Sequence, residues 1–220
     1  MLAAEAASLC EILLGQADIS PLLNLGSSTR SFREVEKPHV ERDLFAPLRR
    51  AGVSVLHSDA KAAEGVDLAG DVLDPEVKRS LEARNFRCVL LANLLEHVPD
   101  RDAVAQAAED IVGPNGLILA TVPLSYPYHA DPIDNHYRPS PAALAGLFGR
   151  SRLLLAEEVV GPTFREELEE RRSAPAAALA RTFLWFLLSP VRPRSFASRA
   201  HRWLWYSRPY RISVVLLRVC

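Results

Sequence analysis

Histidine, tyrosine and acidic residues crowd one stretch of this chain, residues 126–138, whose sequence is YPYHADPIDNHYR. An imidazole has a pKa near neutrality, so it can remove a proton from a hydroxyl or an amine. His129 and Asp131 are therefore candidate catalytic residues, and His97, in the motif LLEHVPD, is a third. The neighbouring side chains are candidates for binding a substrate: Tyr126, Tyr128, Asp134, His136 and Arg138.

Two other interpretations of residues 126–138 stay open from the sequence. A loop stiffened by its prolines, and held by hydrogen bonds from backbone N–H groups to aspartate carboxylates, would need no catalytic role. Histidine and carboxylate side chains are also metal ligands. We weigh substrate contact and the stiffened loop equally, and predict that no metal site is present.

Four further residues follow short apolar runs: Gly26, Asp59, Asp71 and Asn93. An apolar run that stops at a glycine or a polar residue predicts a buried strand that ends there. The carboxyl ends of parallel strands lie along one edge of a sheet, where ligands bind. We therefore expect these four residues to surround one nucleoside-sized pocket. Helix capping or a turn is the alternative role for the two aspartates.

Apolar runs alternate with helical segments along the chain, which predicts a doubly wound, mostly parallel α/β sheet. The predicted strands are residues 22–25, 53–57, 66–69, 88–92, 117–122, 153–160 and 211–219. The predicted helices are residues 2–16, 38–50, 74–84, 101–112, 141–148, 164–172 and 176–188, with a polar loop at 27–37. We expect one domain over residues 1–220, with a lead-in helix in 1–20 and a basic, aromatic helical insertion or lid at 161–208, before the last strand.

The order of these motifs resembles the class I S-adenosylmethionine-dependent methyltransferases over about residues 20–160. The likeness lies in the glycine loop after strand one, the acidic residue after strand two, GD after strand three, LLEHVPD after strand four and PNG before strand five. It implies a Rossmann-like methyltransferase fold, with S-adenosyl-L-methionine as the cofactor.

The same resemblance implies roles for the residues of the predicted pocket. The backbone at Gly26 and Ser27 would pass close to the methionine part of the cofactor, and Asp59 would accept hydrogen bonds from the ribose hydroxyls. Asp71 would lie beside the adenine amino group. The remaining cofactor candidates are Asn24, Val72, Asn93 and Leu94, of which Val72 would pack on the adenine ring.

We expect direct transfer of a methyl group to an oxygen or nitrogen atom of a small-molecule, glycan or lipid-linked acceptor. Because the sulfonium of the cofactor is already activated, holding donor and acceptor in line gives most of the acceleration. His97 would border the acceptor, where it either orients its loop or acts on the substrate. Two departures from the family pattern motivate an alternative, a non-catalytic binding or scaffold protein: Asn24 replaces the acidic residue of strand one, and Gly26 is the one glycine kept in the loop.

Charge is unevenly distributed. The chain has 26 Lys and Arg against 27 Asp and Glu, yet its charged residues after position 170 are ten arginines. With the aromatic residues of 176–206, this pattern favours a packed lid, with a homodimer face or peripheral contact with an anionic membrane as alternatives. The apolar run at 179–191 contains Arg181 and is too short to span a bilayer, and no nucleic-acid motif is recognisable. Three scattered cysteines and an acidic start predict a cytoplasmic protein, with the inner membrane face as the alternative location.

Overall fold

The computed structural model describes residues 1–129, 133–170, 175–187 and 200–220. Seven strands lie within these residues: β1 (Leu22–Leu25), β2 (Val55–Asp59), β3 (Leu68–Ala69), β4 (Cys88–Ala92), β5 (Leu117–Ser125), β6 (Ser151–Thr163) and β7 (Pro209–Val219). They form one sheet in the order β3–β2–β1–β4–β5–β7–β6. The first five strands are parallel, and β7 lies antiparallel between β5 and β6.

Helices cover both faces of the sheet. The α-helices in the described residues are α1 (Ala3–Leu14), α2 (Pro38–Val40), α3 (Ala46–Arg50), α4 (Pro75–Glu82), α5 (Arg101–Val112), α6 (Pro141–Ala145), α7 (Phe164–Glu170) and α8 (Pro175–Leu187). Wider π-type turns at Phe32–Glu36 and Glu41–Phe45 and a 3-10 turn at Arg202–Trp205 complete the helical elements. The turn at Glu41–Phe45 joins α2 to α3, so residues 38–50 form one helical stretch, as the sequence predicts.

The core consists of two apolar layers, one on each face of the sheet. Successive side chains of a strand point to opposite faces, so a parallel sheet covered on both sides needs continuous apolar strands. In β1, Leu23 packs into the layer beneath α4, α5 and α6, whereas Leu22 packs into the layer beneath α1 and residues 38–50. Strand β4 has the same division, with Val89 in the first layer and Leu90 in the second.

The strand order reverses at β1, which lies between β2 and β4. Leu25 at the end of β1 is in register with Ser58 of β2 and with Leu91 of β4. The residues that come next along each strand therefore meet at the same edge. In open α/β sheets this reversal point leaves a crevice outside the strands' carboxyl ends, where ligands bind.

Three predicted boundaries are wrong at this edge. Strand β2 is shifted two residues toward Asp59, which is its last residue, because the Gly70 N–H donates to the Asp59 carbonyl at 2.9 Å and extends the ladder to β3. The predicted loop at 27–37 contains the helical turn Phe32–Glu36. Strand β5 runs on to Ser125, because it stays paired with Arg211 of β7. The other predicted elements are present, and those of their ends that fall within the described residues are displaced by at most three residues.

The segment between β6 and β7 packs against the body of the protein where the structure describes it. The indole Nε1 of Trp205 donates to the Ser125 hydroxyl at 3.0 Å, which ties the 3-10 turn to the end of β5. Arg202 donates to Glu167 of α7 at 2.7 Å. These contacts agree with a packed segment. The predicted insertion starts at 161, but β6 continues to Thr163 because it remains paired with Pro209 of β7.

Part of that segment lies outside the described residues, namely 171–174 and 188–199. Within the ranges that are described, none of the helices is both long enough and apolar enough to cross a membrane. Helix α8 presents Leu179 and Phe183 at the surface, with 58% and 63% of each exposed.

Candidate functional site

A cavity of about 700 Å³ opens at the carboxyl edge of the sheet. Its volume lies in the range of ligand pockets, roughly 300–1,000 Å³. All eight residues predicted to contact a cofactor line it: Asn24, Gly26, Ser27, Asp59, Asp71, Val72, Asn93 and Leu94. The side chains of His97, Tyr126 and His129 line it as well. The structure therefore brings the four strand-end residues and two of the predicted catalytic residues to one hollow.

Gly26 allows the loop after β1 to lie close to the loop after β4. Its φ is +76°, and a Cβ atom at this position would lie 2.7 Å from Leu94 Cδ1. The N–H groups of Gly26 and Ser27 both donate to the Ser58 carbonyl, at 2.9 and 3.0 Å. A side chain at position 26 would thus push apart two loops that both line the cavity.

Arg33 holds the loop after β1 and lines the cavity together with it. Its guanidinium donates to the carbonyls of Ser27, Ser28 and Gly65 at 2.9, 2.8 and 2.7 Å. The residue is 4% exposed, and burial lowers its pKa below the usual value. An arginine supplies five fixed N–H donors, so a single side chain can bind three carbonyls. Sequence reasoning missed this residue, because nothing in a polar stretch indicates which arginine turns inward.

Asp59 is held in place by two backbone groups. Its Oδ2 accepts the N–H of Ser28 at 2.8 Å, and its Oδ1 accepts the N–H of Lys61 at 3.0 Å. An ionised carboxylate has about four acceptor positions, so both oxygens can accept further hydrogen bonds from a ligand. The arrangement fixes the orientation of the carboxylate at the cavity wall.

Asn24 is bound to the neighbouring strand. Its Nδ2 lies 3.0 Å from Nδ1 of His57, the residue in register with it on β2. Burial lowers the pKa of His57 to about 4, with a further contribution from the Arg33 charge. The ring is therefore neutral at pH 7 and accepts at Nδ1, because the Asn24 amide nitrogen can only donate. Asn24 lines the cavity with its amide already engaged.

Asp71 and Val72 follow the short strand β3. The Asp71 carboxylate accepts the N–H of Leu73 at 2.9 Å, which is the turn role that the sequence leaves open for this residue. Asp71 is exposed and lines the cavity, while Val72 is buried beside it. An apolar side chain and a carboxylate thus lie side by side at this end of the cavity.

Glu5 of α1 is a buried carboxylate at the cavity that sequence reasoning missed. Its Oε1 accepts from Asn93 Nδ2 and from Thr121 Oγ1, each at 2.7 Å, and its Oε2 accepts the N–H of Leu2 at 3.0 Å. The signal was present in the lead-in helix: Glu5 lies four residues before Leu9 and therefore on the apolar face. A charged residue at a core position of an amphipathic helix usually has a specific partner.

A second group of ionisable residues lies next to the cavity, which His97 and His129 line. Glu96 is fully buried, and desolvation raises its pKa to about 8. The rings of His97 and His129 are 5.0 Å apart, edge to face. Burial lowers the pKa of His129 to about 4, so its ring is neutral at pH 7. Tyr126 contacts His129 at 5.1 Å between ring centroids.

Similarity to known proteins is found here in the fold. No protein-family model matches the chain, and no curated protein matches it. Among solved structures it is similar to the MccD protein, with a TM-score of 0.60 and 15% identity over 98% of both chains. It is similar to coclaurine N-methyltransferase bound to N-methylheliamine and SAH, with a TM-score of 0.55 and 16% identity over 97% of this chain and 69% of that one. It is also similar to a SAM-dependent methyltransferase from Archaeoglobus fulgidus, with a TM-score of 0.52 and 12% identity over 97% of this chain and 92% of that one.

The chain has the class I methyltransferase fold. At these identities the likeness establishes the fold alone, and the chemistry has to be argued from the site. The most evident departure from the methyltransferase pattern, a loop with Gly26 as its one glycine, is accompanied by the Arg33 clamp on that loop. The Arg33 guanidinium restrains the carbonyls of Ser27 and Ser28, so the loop needs fewer glycines to hold its shape.

Four of the five residues predicted to bind a substrate do not line the cavity: Tyr128, Asp134, His136 and Arg138. Asp134 is buried, and although burial raises its pKa, hydrogen bonds from Arg138 and two backbone N–H groups bring it down to about 2. Arg138 donates to it at 2.6 Å, and the two backbone donors are His129 and His136. Tyr128 and His136 stack on each other at 5.0 Å. These contacts show a loop whose shape is held by hydrogen bonds to the Asp134 carboxylate.

Tyr126 and His129 differ from those four residues, because both line the cavity. Asp131, the third predicted catalytic residue, lies outside the described residues. The stretch 126–138 therefore combines two of the roles considered for it: its first part borders the cavity, and its last part is a stiffened loop. His97 contacts both parts of this stretch: its ring packs against His129, and its Nδ1 is hydrogen-bonded to the carbonyl of Ile133.

Proposed function

We propose that this protein is an S-adenosylmethionine-dependent methyltransferase that transfers a methyl group directly to an oxygen or nitrogen atom of a small-molecule, glycan or lipid-linked acceptor. The observation that carries the proposal is the convergence of Gly26, Asp59, Asp71 and Asn93 on one cavity of about 700 Å³. These residues come from four different strand ends, and the class I methyltransferase fold binds its ligand at that edge of the sheet.

The residues along the cavity fit the proposed cofactor. Gly26 has no Cβ atom, so the backbone there can pass close under the methionine part of the cofactor. The oriented Asp59 carboxylate can accept hydrogen bonds from two ribose hydroxyls. Val72 offers an apolar surface for an adenine ring, with Asp71 beside it for the amino group. When bound, the cofactor supplies an activated methyl group on a sulfonium, so the protein has to position and shield the reactants.

The acceptor would lie at the end of the cavity bordered by His97, Tyr126 and His129. A neutral imidazole within reach of the acceptor can take the proton that a hydroxyl or an amine loses. His129 is the candidate for that role as long as its Nε2 holds no other ligand, and His97 is the candidate for orienting the loop. Asp131 stays a candidate on sequence grounds.

A binding or scaffold protein is the second candidate. The hydrogen bond between Asn24 and His57 favours it, because it directs the amide nitrogen of a cavity-lining residue to the protein rather than to a ligand. Such a protein would bind the cofactor or its product without turnover. A methyl-donor assay with a panel of hydroxyl and amine acceptors separates the two candidates, provided that binding of the product has been measured first.

Titration of the full chain with S-adenosylhomocysteine by calorimetry tests the proposal. Asp59→Ala should weaken binding by ~1.5–3 kcal/mol, or roughly 10- to 150-fold, because the ribose hydroxyls lose their charged acceptor. Asp102→Ala is the matched control, since Asp102 is an exposed carboxylate on α5. Circular dichroism on each variant checks that it is folded. No binding by the wild type at millimolar concentration, or equal loss in both variants, would contradict the proposal.

A further inference from the structure

We propose that Glu96, His97 and His129 form a binding site for one divalent transition-metal ion, with an open coordination position toward the cavity. Each of these residues offers one ligand atom, and the three atoms lie within 4.8 Å of one another. Three nitrogen or oxygen ligands about 2.1 Å from a shared ion lie roughly 3.4 Å apart in tetrahedral geometry.

The first observation that points to a ligand is the lack of hydrogen-bond partners for the buried Glu96 side chain. The residue is fully buried, and neither of its oxygens has a hydrogen-bond partner among the residues that the structure describes. A buried carboxyl group without a hydrogen-bond partner is costly in either protonation state, and native proteins avoid it unless an ion, a water or a ligand satisfies it. Its Oε1 lies 3.7 Å from Nε2 of His97, so the unsatisfied group is directed toward the cluster.

Both imidazoles are oriented as metal ligands usually are. Nδ1 of His97 contacts the Ile133 carbonyl, and Nδ1 of His129 lies 3.2 Å from the Pro127 carbonyl. A carbonyl can only accept, so each Nδ1 is the donor and Nε2 is the ring nitrogen left to bind an ion. A histidine that binds a metal commonly donates its other ring N–H to a carbonyl or a carboxylate in this way.

The backbone around the cluster is fixed before any ion arrives. The Asn135 N–H donates to the Glu96 carbonyl at 2.9 Å, and its side-chain amide donates to the Leu95 and Val98 carbonyls at 3.1 and 2.9 Å. Asn135 therefore ties the loop that follows His129 to the loop that carries Glu96. The three ligands come from two segments that are joined to each other, which keeps them close together.

The ligand set selects the class of ion. Two imidazoles and one carboxylate suit Zn²⁺, Fe²⁺ or Co²⁺, whereas Mg²⁺ and Ca²⁺ prefer oxygen ligands alone. Three protein ligands leave at least one position open, and His97 and His129 both line the cavity. An acceptor hydroxyl bound there would lose its proton to water more readily. This last step rests on the proposed function and narrows its acceptor to an oxygen compound.

The metal and a direct proton-accepting role for His129 exclude each other, because both use the same Nε2 lone pair. The experiment therefore measures metal binding without the cofactor. The full chain, stripped of metal by a chelator, is titrated with Co²⁺ and followed by its visible absorption, and Zn²⁺ binding is measured by calorimetry. We expect one equivalent of each ion and no thiolate-to-cobalt charge-transfer band, because Cys10, Cys88 and Cys220 take no part.

The variants Glu96→Gln and His129→Asn should each weaken Co²⁺ binding at least tenfold. His136→Asn is the matched control: it removes an imidazole from the same loop, and asparagine tolerates the φ of +59° at this position. Its affinity should equal that of the wild type. If Glu96→Gln does not fold, His129→Asn carries the test.

The absence of stoichiometric binding, or unchanged binding in both ligand variants, overturns the metal site. Titration of the metal-free protein with S-adenosylhomocysteine keeps this outcome separate from the cofactor proposal. Binding of the product without metal binding removes the site and leaves His129 as the proton acceptor. Metal binding without binding of the product removes the methyltransferase proposal and leaves the site.

Discussion

Arg33 replaces glycine by a different physical means. A glycine-rich loop can approach a ligand because it lacks side chains, whereas this loop has Ser27 and Ser28 and is restrained by one guanidinium beneath it. The same guanidinium reaches Gly65, so the loop after β1 and the turn before β3 are joined by one side chain. Arg33 is thus a positioning residue, because its guanidinium holds three backbone carbonyls in the wall of the cavity.

Arg33→Met should lower the free energy of unfolding by about 2–4 kcal/mol, because three carbonyls lose charged donors. Affinity for S-adenosylhomocysteine should fall as well, since Ser28 would no longer be held against Asp59. Urea denaturation and calorimetry provide the two measurements. Arg30→Met is the control: the Arg30 side chain is 53% exposed and pairs with Glu64 at the surface, so its loss should cost less than about 1 kcal/mol. Equal losses in the free energy of unfolding of the two variants would show that the hydrogen bonds of Arg33 to the loop do not stabilise the protein.

The close approach of two loops, after β1 and after β4, is a property of elements rather than of one residue. Gly26 has a positive φ, as Gly52 has, but the surroundings of the two glycines differ. A Cβ at Gly26 would collide with Leu94, whereas nothing lies within 4 Å of a Cβ at Gly52. Comparing a glycine-to-alanine substitution at both positions separates the cost of backbone strain from the cost of moving the two loops apart.

Gly52→Ala should cost about 1 kcal/mol of stability, the usual penalty of a left-handed conformation, with no effect on ligand binding. Gly26→Ala should cost more and should also weaken binding of S-adenosylhomocysteine at least tenfold, because its methyl group displaces the loop that carries Leu94. Thermal unfolding and calorimetry on both variants provide the measurements. Normal binding by Gly26→Ala would mean that the loops have room to separate without disturbing the cavity.

Across the whole molecule, the sequence predicts the features that depend on local pattern. The alternation of apolar runs with helical segments predicts a doubly wound sheet, and the continuous apolar run of β4 fits a strand that is buried on both faces. The convergence of Asp59 and Asn93 follows from the rule that ligands bind where the strand order reverses. These features are visible without knowledge of any long-range contact.

What the sequence could not predict depends on contacts between distant residues. Glu5 reaches Asn93, and Arg33 reaches Gly65, through packing that no local pattern encodes. The division of residues 126–138 into a cavity wall and a stiffened loop depends on the ion pair between Asp134 and Arg138, whose spacing alone does not distinguish it from a substrate contact.

The dependence of overall stability on pH tests how His57 is buried. The pKa of His57 is about 4 in the folded protein and near 6.5 when unfolded, so the unfolded state binds the proton more readily between these values. Stability should therefore fall as the pH drops from 6.5 to 4, with a contribution from His57 of about 3 kcal/mol.

Glu96 and His129 also have shifted pKa values, so the His57 contribution has to be measured as a difference. His57→Gln keeps an acceptor for Asn24 and does not titrate. Urea denaturation of wild type and variant at pH 7 and pH 4 gives the free energies of unfolding, and the wild type should lose about 3 kcal/mol more than the variant. Parallel losses would mean that His57 reaches solvent when it is protonated. The hydrogen bond to Asn24 would then not be what keeps the ring buried and neutral between β1 and β2.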